Sequence, residues 1–347
     1  DQIICGDCLE VMASMPESSV DSIVTDPPYG LSFMGKDWDH GVPGEAFWRE
    51  ALRVAKPGAH LLAFGGTRTH HRLMCAIEDA GWEIRDCLGW LYGSGFPKSL
   101  DVSKAIDKMA GAEREVVGRY RAAQQTNNCG TSFNASKADE NGVSYATITL
   151  PATPEAVRWN GWGTALKPAW EPIVLARKPL IGTVAQNVLE HGTGALNIDG
   201  CRVWTDEQIT NHSRGSLSAI SKGKYGDSSE QKTHQTQGQA LGRFPANLIH
   251  DGSAEVLDTF PKEGRSTKPS GTGGAFKATG AFPIASDPVK HADNGGSAAR
   301  FFYCAKASAS ERGEGNNHPT VKPQALMQYL CRLVTPPGGV VLDPFAG

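Results

Sequence analysis

The stretch "DSIVTDPPYGLSF", residues 21–33, decides how the rest of the chain is read. Its first half, Ser22-Ile23-Val24-Thr25, is rich in β-branched residues and reads as a buried strand. Two prolines then forbid continuation, because Pro27 and Pro28 can neither donate to a strand ladder nor extend a helix. The chain is therefore expected to leave the sheet through a stiff, extended corner. That corner carries an acid, Asp26, a Pro27 carbonyl with no ladder partner, and an aromatic ring, Tyr29.

Outward from this corner, short apolar runs alternate with amphipathic ones as far as about residue 92. "QIIC" (2–5), "DSIVT" (21–25), "AHLLAF" (59–64) and "EIRDCLGWL" (83–91) read as strands. "GEAFWREALRVA" (44–55) and "HHRLMCAIEDAG" (70–81) read as helices, with "KPG" (56–58) ending the first of them and "GGT" (65–67) following a strand. This alternation is the βαβ signature of a doubly wound, mostly parallel α/β sheet. From Gly111 to about Leu150 the pattern dissolves into Gln, Asn, Ser and Thr, a long surface insertion. "EPIVLARK" (171–178) returns to core character, and "TVAQNVLEHG" (183–192) reads as a short helix capped by Gly192. Residues 201–298 turn polar, and their middle is locally basic through Arg214, Lys222, Lys224, Lys232 and Arg243. Core character resumes at "RFFYCA" (300–305), continues through a helix with Pro323 in its first turn, and ends in the strand "GVVLD" (339–343).

Composition narrows the classes. The chain has 347 residues, enough to bury a large core, and no apolar run approaches the roughly 20 residues that span a bilayer. No signal segment opens it, so a cytoplasmic location is the default and no membrane partner is expected. A net charge of −3 leaves any nucleic-acid binding to local basic surface. The eight cysteines read as free core thiols; Cys5 and Cys8 form a C-x-x-C, but no second pair accompanies it, so no metal is expected.

Three stretches carry the chemistry together: "DPPY" (26–29), "HPTVKP" (318–323) and "LDPFAG" (342–347). Their content and order resemble the S-adenosylmethionine-dependent amino-group DNA methyltransferases, in the circularly permuted branch called the β class. That branch places the catalytic motif before the target-recognition region and the cofactor motif after it. "GDCLEVM" (6–12), just ahead of the catalytic strand, adds to the likeness. The resemblance implies a Rossmann-like methyltransferase fold with an inserted target-recognition region. It divides the chain into a catalytic half of the core (1–110), a polar insertion (111–164), a return to the core (165–200), the target-recognition region (201–298) and the cofactor half (299–347). Both ends read as those of a fragment: the family's continuation after "DPFAG", including one strand, is expected beyond Gly347. That strand would lie between "QIIC" and "GVVLD", so a gap, a collapsed pairing or a frayed end is expected there.

The corner suits amino-group transfer. An exocyclic amine is a poor nucleophile because its lone pair is delocalised into the ring; the Asp26 carboxylate and the Pro27 carbonyl, whose direction Pro28 helps to fix, can each accept one of its N–H groups and aim the lone pair at the methyl. No covalent intermediate or metal is needed, unlike C5 methylation, which requires a cysteine nucleophile. The base must be flipped out of double-stranded DNA, and Tyr29 is placed to stack on it, with Phe33 lining the pocket. The "LDPFAG" strand end is the usual ligand edge of an open α/β sheet, where Asp343, Phe345 and Gly347 would meet the cofactor. The resemblance also implicates Asp7 near the adenine ring of the cofactor, and His318, Thr320 and Lys322 near its methionine end. The basic residues of 201–298 would contact phosphates, and Trp159, Trp162 and Trp170 are read as packing residues. The resemblance makes adenine-N6 the leading target, since in that family Asp at the head of the motif is commoner in adenine enzymes and Ser in cytosine-N4 ones. Cytosine-N4 transfer, a noncatalytic DNA-binding protein and an RNA or protein methyltransferase are the alternatives; a companion restriction nuclease and the oligomeric state are not encoded in these motifs.

Overall fold

The computed structural model describes residues 2–31, 41–95, 99–121, 145–206, 211–213, 232–234, 236–261, 297–305 and 321–346. The elements in chain order begin with α1 (Cys8–Ser14), β1 (Val20–Thr25), α2 (Glu45–Val54), β2 (Ala55–Phe64), α3 (His70–Asp79) and β3 (Glu83–Leu91). They continue with α4 (Val102–Met109), β4 (Val116–Arg121), β5 (Tyr145–Thr149), α5 (Pro154–Arg158), β6 (Trp170–Arg177) and α6 (Val184–His191). The chain ends with β7 (Asn211–Ser213), β8 (Lys232–His234), α7 (Gln237–Ala240), β9 (Leu248–His250), α8 (Ala254–Leu257), β10 (Tyr303–Cys304), α9 (Gln324–Val334) and β11 (Val341–Leu342).

The chain divides into two compact units, one of residues 1–93, 170–306 and 325–347, the other of 94–169 and 307–324. The first unit holds a seven-stranded sheet in the order β10-β9-β3-β6-β2-β1-β11. Neighbours are parallel except at β6, which runs antiparallel to both β2 and β3. The expected mostly parallel, doubly wound α/β sheet is thus formed. Alternate residues of the central strands serve opposite faces, which is why those strands read as continuous apolar runs. Ile23, Leu61, Ala63 and Val174 pack with Met12 of α1, Phe47 and Trp48 of α2 and Leu73 and Ile77 of α3. Val24, Leu62, Phe64 and Ile173 pack on the other face with Leu326, Tyr329 and Leu330 of α9.

Local chemistry explains most boundaries. Helix α2 buries Phe47, Trp48, Ala51 and Val54, one stripe at helical spacing. Helix α6 begins in a reciprocal capping box between Thr183 and Gln186 and ends at Gly192, whose φ of 75° is left-handed. The "KPG" reading needs correction: α2 ends at Val54, and Lys56, Pro57 and Gly58 lie inside β2. There the β1–β2 register jumps from Val20–Ala55 to Ser22–His60, a bulge that accommodates a proline without a donor.

"QIIC" is not a strand. Ile3 is 95% exposed, and β11 is the sheet edge among the described residues, so the run has no ladder partner. The core-thiol reading also fails in part: Cys201 is buried, but Cys5 and Cys75 are exposed.

In the second unit, β4 and β5 form an antiparallel ladder, and Asp107 of α4 is fully buried. Its carboxylate accepts from Arg114 Nη1 at 2.6 Å, Thr153 Oγ1 at 2.8 Å and the amides of Ala152 and Thr153 at 3.0 Å. The tryptophans expected to be packed inside are 39% (Trp159), 60% (Trp162) and, in the first unit, 41% (Trp170) exposed. Trp159 and Trp162 instead pack edge to face on each other, with centroids 5.1 Å apart. Among the described residues no helix is long and apolar enough to cross a membrane.

Candidate active site

Strands β1 and β11 lie side by side and parallel, with Ile23 opposite Leu342. Their carboxyl ends therefore bring "DPPY" and "DPF" to the same sheet edge, the edge where open α/β sheets bind ligands. Asp21 anchors this pair from below: its buried carboxylate accepts from Lys56 Nζ at 2.6 Å and from the Val340 amide at 2.8 Å. At the top, Thr25 Oγ1 donates to Asp343 Oδ1 at 2.6 Å, and the Phe345 amide donates to the same oxygen at 3.1 Å. Burial, followed by the Asp26 charge, pushes the Asp343 carboxyl up, against the pull of those two hydrogen bonds. The Phe345 ring packs 4.8 Å from that of Phe47.

The Asp26–Tyr29 corner is held by close contacts. Thr69 Oγ1 donates to the Tyr29 carbonyl at 2.7 Å. Gly66, in the turn after β2, would bring a Cβ to 3.3 Å from the Tyr29 side chain, so the corner is closely seated. Gly30 turns the chain with a φ of 65°, and a Cβ there would stand 3.0 Å from the backbone of Gly41 and Val42. Among the described residues no hydrogen bond ends on the Pro27 carbonyl, as the sequence led us to expect. A cleft of about 370 Å³ opens beside Gly30, Leu31, Arg68 and Thr69.

Tyr29 does more than present a ring. Its hydroxyl lies 2.8 Å from Asp26 Oδ1 and 3.1 Å from Glu171 Oε2, and the Glu171 charge also reaches the Tyr92 phenol. Burial, then the charges of Asp26 and Glu171, push the Tyr29 phenol well up; Tyr92 is pushed up by burial and by Glu171. Glu171, Tyr92, Thr25 and Thr69 escaped the sequence reading. The one available signal was Glu171 itself, an acid at the head of the apolar run of β6.

The remaining expected site residues fall in different places. Asp7 is exposed and caps α1, its Oδ1 accepting from the amides of Leu9 and Glu10. Lys322 is half-buried just ahead of Pro323. Lys232 sits in β8, paired with β7, and Arg243 places its guanidinium 4.4 Å from the centroid of the Phe301 ring. Phe33, Arg214, Lys222, Lys224, His318, Thr320 and Gly347 lie outside the described residues.

The sequence matches a protein family described as DNA methylase over residues 20–347. Over 312 residues, 76% of this chain and 85% of the relative, it is 23% identical to the type II methyltransferase M.HindIII of Haemophilus influenzae. Over 117 residues, 30% of this chain and 36% of the relative, it is 28% identical to the type II methyltransferase M.HpaI of Haemophilus parainfluenzae. Among solved structures, the M1.HpyAVI–SAM complex is 14% identical, with 51% of this chain and 53% of that chain covered and a TM-score of 0.25. TTHA0409 of Thermus thermophilus, complexed with S-adenosyl-L-methionine, is 18% identical, with 53% and 56% covered and a TM-score of 0.25. This chain thus spans just over half the length of those two structures.

Proposed function

The chain belongs to the DNA methylase family, and from that premise we propose that it transfers a methyl group from S-adenosylmethionine to the exocyclic N6 of an adenine flipped out of double-stranded DNA. One observation carries the reading: an acid–aromatic corner at Asp26–Tyr29 and a second at Asp343–Phe345 share one sheet edge, tied by the Thr25–Asp343 hydrogen bond at 2.6 Å.

When bound, the cofactor supplies an electrophilic methyl on a cationic sulfur. The residues at the second corner fit such a group. Both hydrogen bonds of Asp343 fall on Oδ1, so Oδ2 is left to meet the ammonium at a methionine end, and Phe345 offers a ring edge to an adenosine. Asp7, His318, Thr320, Lys322 and Gly347 are the further residues that the family resemblance assigns to cofactor binding. At the first corner, Asp26 and the Pro27 carbonyl accept the two N–H groups of the target amine, Pro28 fixes the carbonyl, and Tyr29 supplies a face for the base. With the methyl donor bound, Asp26, already accepting from the amine, would take the proton that the amine gives up on methylation. Arg214, Lys222, Lys224, Lys232 and Arg243 are assigned to the DNA backbone.

Labelled S-adenosylmethionine and duplex DNA, followed by digestion to nucleosides, test the reading. The expected product is N6-methyladenine, and Asp26→Ala removes transfer while largely sparing cofactor affinity. Labelled N4-methylcytosine alone would replace the base assignment, and neither transfer nor cofactor binding would leave a noncatalytic DNA-binding protein.

A further inference from the structure

We propose that Glu171 is a positioning residue of the amine-activating corner: it competes with Asp26 for the single hydroxyl proton of Tyr29 and so sets how strongly Asp26 accepts from the target amine. The inference rests on the reading of Asp26 as that acceptor. It goes beyond the family motifs, because Glu171 belongs to none of them.

A phenol carries one proton, yet the Tyr29 oxygen has two carboxylate oxygens within hydrogen-bonding reach, Asp26 Oδ1 at 2.8 Å and Glu171 Oε2 at 3.1 Å. Each carboxylate gains what the other loses. A proton held wholly by Asp26 would spend part of that carboxylate's acceptor strength on Tyr29 rather than on the amine. Glu171 draws the proton away. The Tyr29 ring does not need Glu171 for its position. Its carbonyl is held by Thr69, and its ring packs against the second face of the sheet. Among the described residues, other charged or titratable groups around the corner include Tyr92, Asp343 beyond β11, Arg68 beside the cleft, and His70 of α3, whose ring lies 6.2 Å from that of Trp170.

The proposal predicts opposite signs for two substitutions. Glu171→Gln keeps the shape but replaces a carboxylate acceptor with a weaker amide one, so more of the Tyr29 proton goes to Asp26 and less of that carboxylate's acceptor strength is left for the amine. Tyr29→Phe keeps the ring but removes the donor to Asp26, with the reverse effect.

The experiment measures single-turnover methyl transfer to duplex DNA for the wild type, Asp26→Ala, Glu171→Gln, Tyr29→Phe and the double variant Tyr29→Phe/Glu171→Gln. In Glu171→Gln the rate constant is expected to fall about tenfold, the equivalent of one charge-assisted hydrogen bond. Its KM for DNA and cofactor stays within about twofold, the Tyr29→Phe rate rises, and in the Tyr29→Phe background, where no hydroxyl proton is left to compete for, Glu171→Gln leaves the rate unchanged. A Glu171→Gln rate equal to wild type, rate changes of the same sign in both single variants, or the same loss in the Tyr29→Phe background overturns the proposal. Full activity in Asp26→Ala overturns the underlying reading instead. Should Glu171→Gln not fold, as judged by circular dichroism, Glu171→Ala removes the same acceptor, and its rate must fall only when the Tyr29 hydroxyl is present or the proposal fails.

Discussion

Thr69→Val tests whether the Asp26–Tyr29 corner must be held from its backbone. The substitution is nearly isosteric and removes one interaction, the 2.7 Å hydrogen bond from Thr69 Oγ1 to the Tyr29 carbonyl. Stranding an acceptor costs about 1–3 kcal/mol when water is excluded. Thr69 is only half-buried, so water replaces part of the lost donor and the low end applies, about 1 kcal/mol. That is about fivefold in an equilibrium constant and, for a domain this large, a fall of about 2 °C in melting temperature. If the hydrogen bond also holds the corner in its reactive geometry, the methyl-transfer rate falls by up to the same factor. Thr69→Ser restores the hydroxyl and serves as the control. Thermal melts and single-turnover transfer on the three proteins decide the matter. Valine and serine variants that are indistinguishable from each other in both readouts would refute the reasoning.

Asp343→Asn keeps an Oδ1 acceptor for both Thr25 and Phe345 but removes the charge. Because burial raises the folded-state value of Asp343 above its unfolded one, its ionisation opposes folding: its favourable contribution is full at low pH and is lost as pH rises through the folded-state value. The variant should therefore match wild type in acid, exceed it in urea resistance at neutral pH, and bind cofactor more weakly; lower resistance at neutral pH refutes the sign. Asp107 has the opposite sign. Burial works to raise its carboxyl, but the Ala152 amide, both Thr153 donors and Arg114 outweigh that and hold it below the usual carboxylate range. Its contribution is present above that range and lost as pH falls through the folded-state value. Acid titration by circular dichroism should show a loss of structure that Asp107→Asn flattens while lowering the melting temperature at neutral pH.

What was legible in the sequence depended on the range of the interactions. Strand β3 matches the alternating run 83–91 to the residue, and Gly192 caps α6 as its position implied, because both follow from contacts a few residues long. Whether a strand forms depends also on its neighbours. "QIIC" has the composition of a strand but no partner, and Ile3 stands in solvent. The reversal of β6 was likewise invisible, since an apolar run carries no mark of its direction in a sheet.

The site divides along the same line. Asp26, Pro27, Pro28 and Tyr29 are contiguous, so they could be singled out as one motif and read with the two later ones, whereas Glu171 lies 142 residues from Tyr29 in sequence. It reaches the corner because β6 runs antiparallel beside β2, with Ile173 opposite Phe64, so the amino end of β6 arrives where the parallel strands finish. A parallel β6 would deliver its carboxyl end there, around Arg177, and place a cation where the structure has an anion. The antiparallel strand therefore determines the charge that Tyr29 and Asp26 meet, and reversing the sign at that one position, as in Glu171→Lys, should suppress transfer more than Glu171→Gln does. Equal rates in the lysine and glutamine variants would show that the charge at this position is immaterial.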